Sequence, residues 1–265
     1  MFKWLVWKFA SRYVAGTTKA EVLDVAANLN QSGYAATISL LGENSSKEQA
    51  DHDKEEYANI LTRIHERELD CNISVKYTHL GEENIRSLAW LATNYRNSIC
   101  LDMESYKDKA LILGLYHSLN PIDRVSTVLQ SKVKDCFADV FSVENVRICK
   151  GIYKESKEIS LTGPEVNNRF IHLVAHCFAK HKYVSVATHD LELIEQCREF
   201  LKDYDKCEFQ FLHGVPMGDL PERLKEDGFK VRFYLPYGEN WYPYCMRRAM
   251  ENPNLIKNVI SNLWK

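Results

Sequence analysis

An α/β fold is predicted: a parallel sheet closed into a (βα)8, TIM-like barrel, with a helix before it and an extra helix after it. Two observations carry this. Short segments rich in Val, Ile, Thr and aromatic residues alternate with longer amphipathic ones, and such alternation calls for parallel strands joined by crossover helices. Eight of these units in 265 residues suit a closed barrel. A doubly wound open sheet is the rival, but its glycine-rich turn after the first strand is missing, since "LLGENSSKEQA" has one glycine. No Pro/Gly/Ser-rich linker interrupts the pattern, so residues 1–265 are read as a single domain.

The elements follow in order. "MFKWLVWKFASRYVAG" reads as a first helix packed on the domain and ended by Gly16. The alternative is a basic amphipathic helix in peripheral contact with a membrane, with Trp4 and Trp7 at the interface. Lys8 breaks its apolar run and it has no small-residue cleavage site, so a signal peptide is not expected. Strands are expected over 35–41, 72–78, 98–103, 125–130, 145–151, 183–188, 207–213 and 230–236. Helical periodicity fills the gaps, most clearly in "KEQADHDKEEYANILTRIHERE" and "LELIEQCREFLKDY". Two helices close the chain, over 241–251 and 254–264. Asn240 is the expected N-cap of the first.

Composition excludes several functions. With 45% apolar and 26% charged residues and a net charge of −2, the chain has the balance of a soluble globular domain. It lacks the basic excess of a nucleic-acid binder. No apolar run reaches the length of a membrane span. The eight cysteines form no CxxC pair and sit mostly in apolar runs, so they are read as reduced core thiols of a cytoplasmic protein. His172 and His176 share a helix face with His181 beyond, but no third ligand stands at a suitable spacing, so no metal is expected.

Barrel chemistry sits at the C-terminal strand ends, and here those ends are polar. They carry Glu43, Lys76, Thr78, Asp102, Glu104, Gln130, Arg147, Lys150, Tyr153, Thr188, His189, Asp190, Gln210, His213 and Tyr234. Charges such as Lys76, Asp102, Arg147 and Lys150 within apolar strands would each cost several kcal/mol if buried unpaired. Together they favour a site for a polar, anionic ligand. "YCMRRAMEN" points the same way. Tyr244, Arg247, Arg248 and Glu251 fall at i, i+3, i+4 and i+7 on one helix face. Two cations beside one carboxylate leave positive charge for a bound anion.

The order of "ISVKYTHLG", "LDME", "VLQ", "RICKGIY", "ATHD", "FQFLHG" and "YLPYGENWYPYCMRRAMENP", each at a successive strand end, resembles the flavin-dependent proline dehydrogenases. The resemblance covers nearly the whole chain. It implies a barrel that binds FAD and oxidises L-proline, or a close cyclic amino acid, to a cyclic imine, with a quinone as electron acceptor. It further implies that Arg247 and Arg248 hold the substrate carboxylate, that Glu251 orients them, and that Lys76 faces the same group with Asp102 behind it. Tyr234, Leu212, Tyr153 and Tyr244 would line the substrate pocket. Arg147 and Gln130 would bond the flavin ring, while Lys150, Gly151, Thr188, His189 and Gln210 would contact FAD elsewhere. Glu43 would pair with the first arginine and gate the site.

Three positions depart from the family pattern: Ile152 stands at a usual alanine, Asp190 at a usual asparagine, and Ser39 at a usual aspartate. Ile152 leaves open another cyclic or N-substituted amino acid as substrate. It also leaves open a non-catalytic relative that keeps the arginine clamp.

Overall fold

The computed structural model of the protein describes residues 11–119 and 124–251, with the last five of these given as backbone. Eight parallel strands close in sequence order into a barrel, and β8 pairs back onto β1. They are β1 (Ala35–Leu40), β2 (Cys71–Lys76), β3 (Ile99–Asp102), β4 (Val125–Gln130), β5 (Asn145–Cys149), β6 (Tyr183–Ala187), β7 (Cys207–Leu212) and β8 (Lys230–Tyr237). The helices that position the site are α1 (Lys19–Gln31), α2 (Lys47–Glu66), α3 (Tyr77–Asn94), α4 (Lys109–Leu119), α5 (Cys136–Asp139), α6 (Pro164–Ala179), α7 (Leu191–Leu201), α8 (Leu220–Glu226) and α9 (Trp241–Glu251).

The expected strands stand within two residues of their predicted ends. Two strands stop two residues early: β5, expected to reach residue 151, ends at Cys149, and β2, expected to reach residue 78, stops at Lys76 because α3 begins at Tyr77. Thr78 therefore joins the helix, where its amide donates to Glu104 at 2.9 Å. Thr78 and Glu104 satisfy each other instead of lining the mouth. The helix expected at the N-terminus falls outside the described residues, except for 11–15, which form turns and bends. The closing helix expected over 254–264 lies outside them entirely. Asn240 does more than stand before α9: its Nδ2 donates to Leu41 O at 3.4 Å.

Local signals explain where the helices begin. Thr18 and Glu21 form a reciprocal capping box on α1. Ser46 accepts from Gln49 N at the start of α2, and Pro164 opens α6 after Gly163. Gly214, after β7, has φ +78°, and a Cβ there would stand 1.6 Å from Arg12 O. Only glycine lets the segment before α1 cross this loop so closely.

Strand alternation splits the barrel into two chemistries. Outward-facing Ile38, Ile73, Val75, Leu101, Leu129, Ile148, Val184, Phe209 and Leu235 are buried beneath the helices. Inward positions are polar to an unusual degree: Thr37, Ser39, Ser74, Gln130, Arg147, Ser185, Glu208, Gln210 and Arg232 are all buried. Burying an unsatisfied polar group costs roughly 1–3 kcal/mol, so this interior demands a connected network. All eight cysteines are free thiols. Among the described residues, no group of His, Cys, Asp and Glu is arranged to hold a metal. His176 instead packs edge-on against Phe141 at 4.5 Å.

One buried pair outside the barrel gives a pH prediction. His79 Nε2 meets Asp53 Oδ2 at 2.7 Å, while His79 Nδ1 is buried without a partner. Burial lowers the His79 pKa more than Asp53 raises it. The folded ring therefore resists a proton that the unfolded ring accepts near ~6.5, and stability falls as pH drops through that value. An NMR titration of His79 is expected to give a midpoint below ~6.5; a higher midpoint would show that Asp53 dominates.

Candidate active site

The C-terminal mouth of the barrel opens into a cavity of about 780 Å³, within the range that encloses an organic ligand. Its walls bring together residues far apart in sequence: Glu43, Lys76, Asp102, Gln130, Arg147, Lys150, Gly151, Tyr153, Thr188, His189, Gln210, Leu212, Tyr234 and Tyr244. These are all the residues given a role by the family resemblance whose side chains are described, and Asp190 lines the cavity with them. Arg247, Arg248 and Glu251 lie on the described backbone of α9, but their side chains are outside the described residues. His213 follows β7 without lining the cavity.

The floor is built around Arg147, on the inward face of β5. Its Nη1 donates to Asp102 Oδ1 at 2.6 Å and to Ser74 Oγ at 3.3 Å, and its Nε donates to Gln210 Oε1 at 2.6 Å. Burial opposes the charge on Arg147, but Cys100 and Asp102 outweigh it and raise its pKa. Asp102 also accepts from Ser74 Oγ at 2.6 Å and from Tyr234 OH at 2.6 Å. Burial and the adjacent Asp102 hold the Tyr234 phenol far above its ordinary pKa, so it stays a donor. The Arg147 guanidinium lies 5.2 Å from the Tyr234 ring centre, within cation–π reach. Asp102 was expected behind Lys76. The two are register neighbours across β2 and β3, but the ion pair that Asp102 makes is with Arg147, at 2.6 Å.

The walls add fixed donors and acceptors. Gln130 Nε2 donates to Met103 O and Glu104 O, both at 3.1 Å, which turns its Oε1 toward Gly151. Gly151 has φ +97°, and a Cβ there would meet Gln130 Oε1 at 3.0 Å, so a side chain would strain the backbone and crowd the amide. Lys150 pairs with Asp190 at 2.6 Å. Asp190 also caps α7, accepting from Glu192 N and Leu193 N. Burial raises the Asp190 pKa, but Lys150 and the cap amides lower it on balance. The unexpected carboxylate at this position is thus neutralised twice. His189 Nε2 accepts from Leu212 N at 3.0 Å, so the neutral ring carries its proton on Nδ1.

The rim is more apolar. Tyr244 is buried and packs with Val14 and Leu41. Tyr153 OH approaches Glu43 Oε1 at 3.5 Å. Ile152, exposed at 41%, lines the cavity beside Tyr153. Reading the strand ends overlooked Ser74 and Glu208. The signal was present: each lies two residues before a chosen residue, Lys76 or Gln210, and therefore shares its inward face.

The donor set fits a planar heteroaromatic ring edged with carbonyl oxygens and ring nitrogens. A buried guanidinium forms the floor, an amide and an ammonium lie along one wall, and glycine permits close backbone approach. That set suits a flavin.

A family model described as Proline dehydrogenase matches residues 22–151 and 158–259. The chain is 31% identical to Proline dehydrogenase 1 of Bacillus subtilis subsp. natto, across 97% of this chain and 91% of that one. It is 28% identical to Proline dehydrogenase of Deinococcus radiodurans, across 98% and 91%. Among solved structures it superposes on proline utilization A of Bdellovibrio bacteriovorus with a TM-score of 0.84 and 21% identity, over 96% of this chain and 33% of that one. With proline utilization A of Bradyrhizobium japonicum the TM-score is 0.76 at 19% identity, over 90% and 30%. The chain thus spans about a third of those two structures, which share its fold.

Proposed function

The chain belongs to the proline dehydrogenase family of oxidoreductases, and from that premise we propose that its single barrel domain oxidises L-proline to 1-pyrroline-5-carboxylate with bound FAD, passing electrons on to a quinone. On this reading it works in the cytoplasm, with peripheral contact at the inner face of a membrane as the alternative. Among the described residues, no helix is long and apolar enough to cross one. The observation that carries the reading is the floor of the cavity, where a buried guanidinium is held between Asp102 and Gln210.

When bound, FAD supplies the hydride acceptor; the protein supplies position and field. Arg147 and Gln130 hold the edge of the ring, and Arg147 places fixed positive charge where negative charge develops. Lys150, Gly151, Thr188, His189 and Gln210 hold the remainder of the cofactor. Arg247 and Arg248 grip the substrate carboxylate with planar, paired donors, Glu251 orients them, and Lys76 closes the grip from β2. Tyr234, Leu212, Tyr153 and Tyr244 pack around the substrate ring and set its approach. The substrate amine must be unprotonated, and the surrounding cations favour that form. Glu43, close to the Tyr153 hydroxyl, gates the entrance.

Ile152 occupies space beside Tyr153 that a smaller side chain would leave to the substrate. Ile152→Ala is expected to raise kcat/KM for a six-membered cyclic amino acid relative to proline by about tenfold, the scale of a few methylenes in an apolar pocket. Steady-state kinetics on both substrates measures this. An unchanged ratio would remove Ile152 from the ring subsite.

A further inference from the structure

The polar network does not end at the mouth. It continues down the inward face of β7 to Glu208, which is only 3% exposed. Glu208 Oε1 accepts from Gln210 Nε2 at 2.5 Å, Ser185 Oγ at 3.0 Å and Arg232 Nε at 3.0 Å. Its Oε2 accepts from Arg232 Nε at 3.0 Å and Tyr183 OH at 3.1 Å. An ionised carboxylate can only accept, so every neighbour must present a donor to it. For Gln210 this settles the amide orientation. The nitrogen must turn toward Glu208, and the oxygen must turn toward Arg147, where it accepts from Nε at 2.6 Å. Asp102 and Ser74 anchor the same guanidinium through Nη1. Two anchor points on a planar group fix its tilt.

We infer that Glu208 is a positioning residue, a buried carboxylate that locks the Gln210 amide and through it aims Arg147 at the ligand. The inference rests on the proposed role of Arg147 against the flavin. The charge of Glu208 is essential to it, because a neutral amide at 208 can itself donate. Its NH2 then competes with Arg147 Nε–H for the Gln210 oxygen, and the Gln210 amide is no longer held to a single orientation. The guanidinium loses one of its two anchors without any change in the residues that line the cavity.

The test uses the FAD-loaded protein and the variants Glu208→Gln, Arg232→Lys and the double variant Glu208→Gln/Arg232→Met. Glu208→Gln removes the near partner of the buried Arg232 charge and leaves it Asp70 at 3.7 Å, a destabilisation; the double variant removes both buried charges and keeps the question open to measurement. In whichever of these two folds, the flavin midpoint potential is expected to fall. The rate of flavin reduction by proline is expected to drop about tenfold, less than the ~10²–10³-fold cost of deleting a donor outright. KM for proline should change little. A flavin-free readout accompanies these: hydrogen exchange at Arg147 Nε–H, followed by NMR, is expected to quicken. Arg232→Lys keeps the carboxylate, so it is expected to lower Tm while leaving the potential and the exchange rate at wild-type values.

Wild-type potential and exchange in both Glu208 variants would overturn the inference. So would Arg232→Lys reproducing all the changes, since that would make Glu208 merely structural. If the wild-type protein takes no FAD, or proline does not reduce it, the proposed function fails instead, and the Arg147 exchange comparison still decides whether the lock exists.

Discussion

Arg147→Met is expected to abolish useful turnover and to destabilise the fold. The guanidinium sits between Asp102 at 2.6 Å and Gln210 at 2.6 Å. Removing it leaves Asp102 with Ser74 and Tyr234 and, among the described residues, no ion-pair partner. Breaking a buried pair from one side costs about 3–5 kcal/mol, visible as a fall in Tm. Loss of a fixed positive charge beside the developing negative charge is expected to cut kcat by ~10²–10³-fold. Arg147→Met/Asp102→Asn is expected to recover much of the Tm and none of the rate, because it removes the stranded carboxylate without restoring the field. Denaturation and stopped-flow reduction measure the two effects separately. Recovery of both together would mean that Arg147 serves only to neutralise Asp102.

The second large effect is expected at α9. Arg248→Met is expected to raise KM for proline by about 10²-fold or more, the 2–5 kcal/mol scale of truncating one partner of a desolvated, hydrogen-bonded charge pair. Bound FAD is expected to be retained, since the donors assigned to the cofactor lie on β4, β5 and the strand ends beyond them. Flavin content by absorbance and steady-state KM together test this. An unchanged KM would remove the carboxylate clamp from Arg248, and loss of flavin would move that residue into the cofactor site.

Most of the barrel was legible because its signals are local. Each strand is a short run of β-branched and aromatic residues, and each helix a longer periodic one, so period alone separates them. The exception at β2 is instructive. "NISVKYT" continues to look like a strand through Thr78, but Thr78 leaves the ladder to cap Glu104, a contact made by the third strand end that no local pattern announces. The polar strand ends were legible as a group because charges in apolar strands need a reason. Which charge meets which was not. Asp102 stands beside Lys76 in register, yet its ion pair is with Arg147 two strands away, a pairing set by the curvature of the sheet and not by any local pattern. Glu208 was overlooked because the search stopped at the strand ends. The alternation that made Gln210 inward makes Glu208 inward too, and the network that holds the floor runs through both.

The central claim is that this barrel transfers hydride from proline to a flavin. Anaerobic addition of L-proline to the purified, FAD-loaded protein, followed by visible absorbance, tests it most directly. The expected result is bleaching of the oxidised flavin band that saturates with proline and is lost in Arg147→Met. A protein that binds FAD but keeps its yellow colour at saturating proline would contradict the claim.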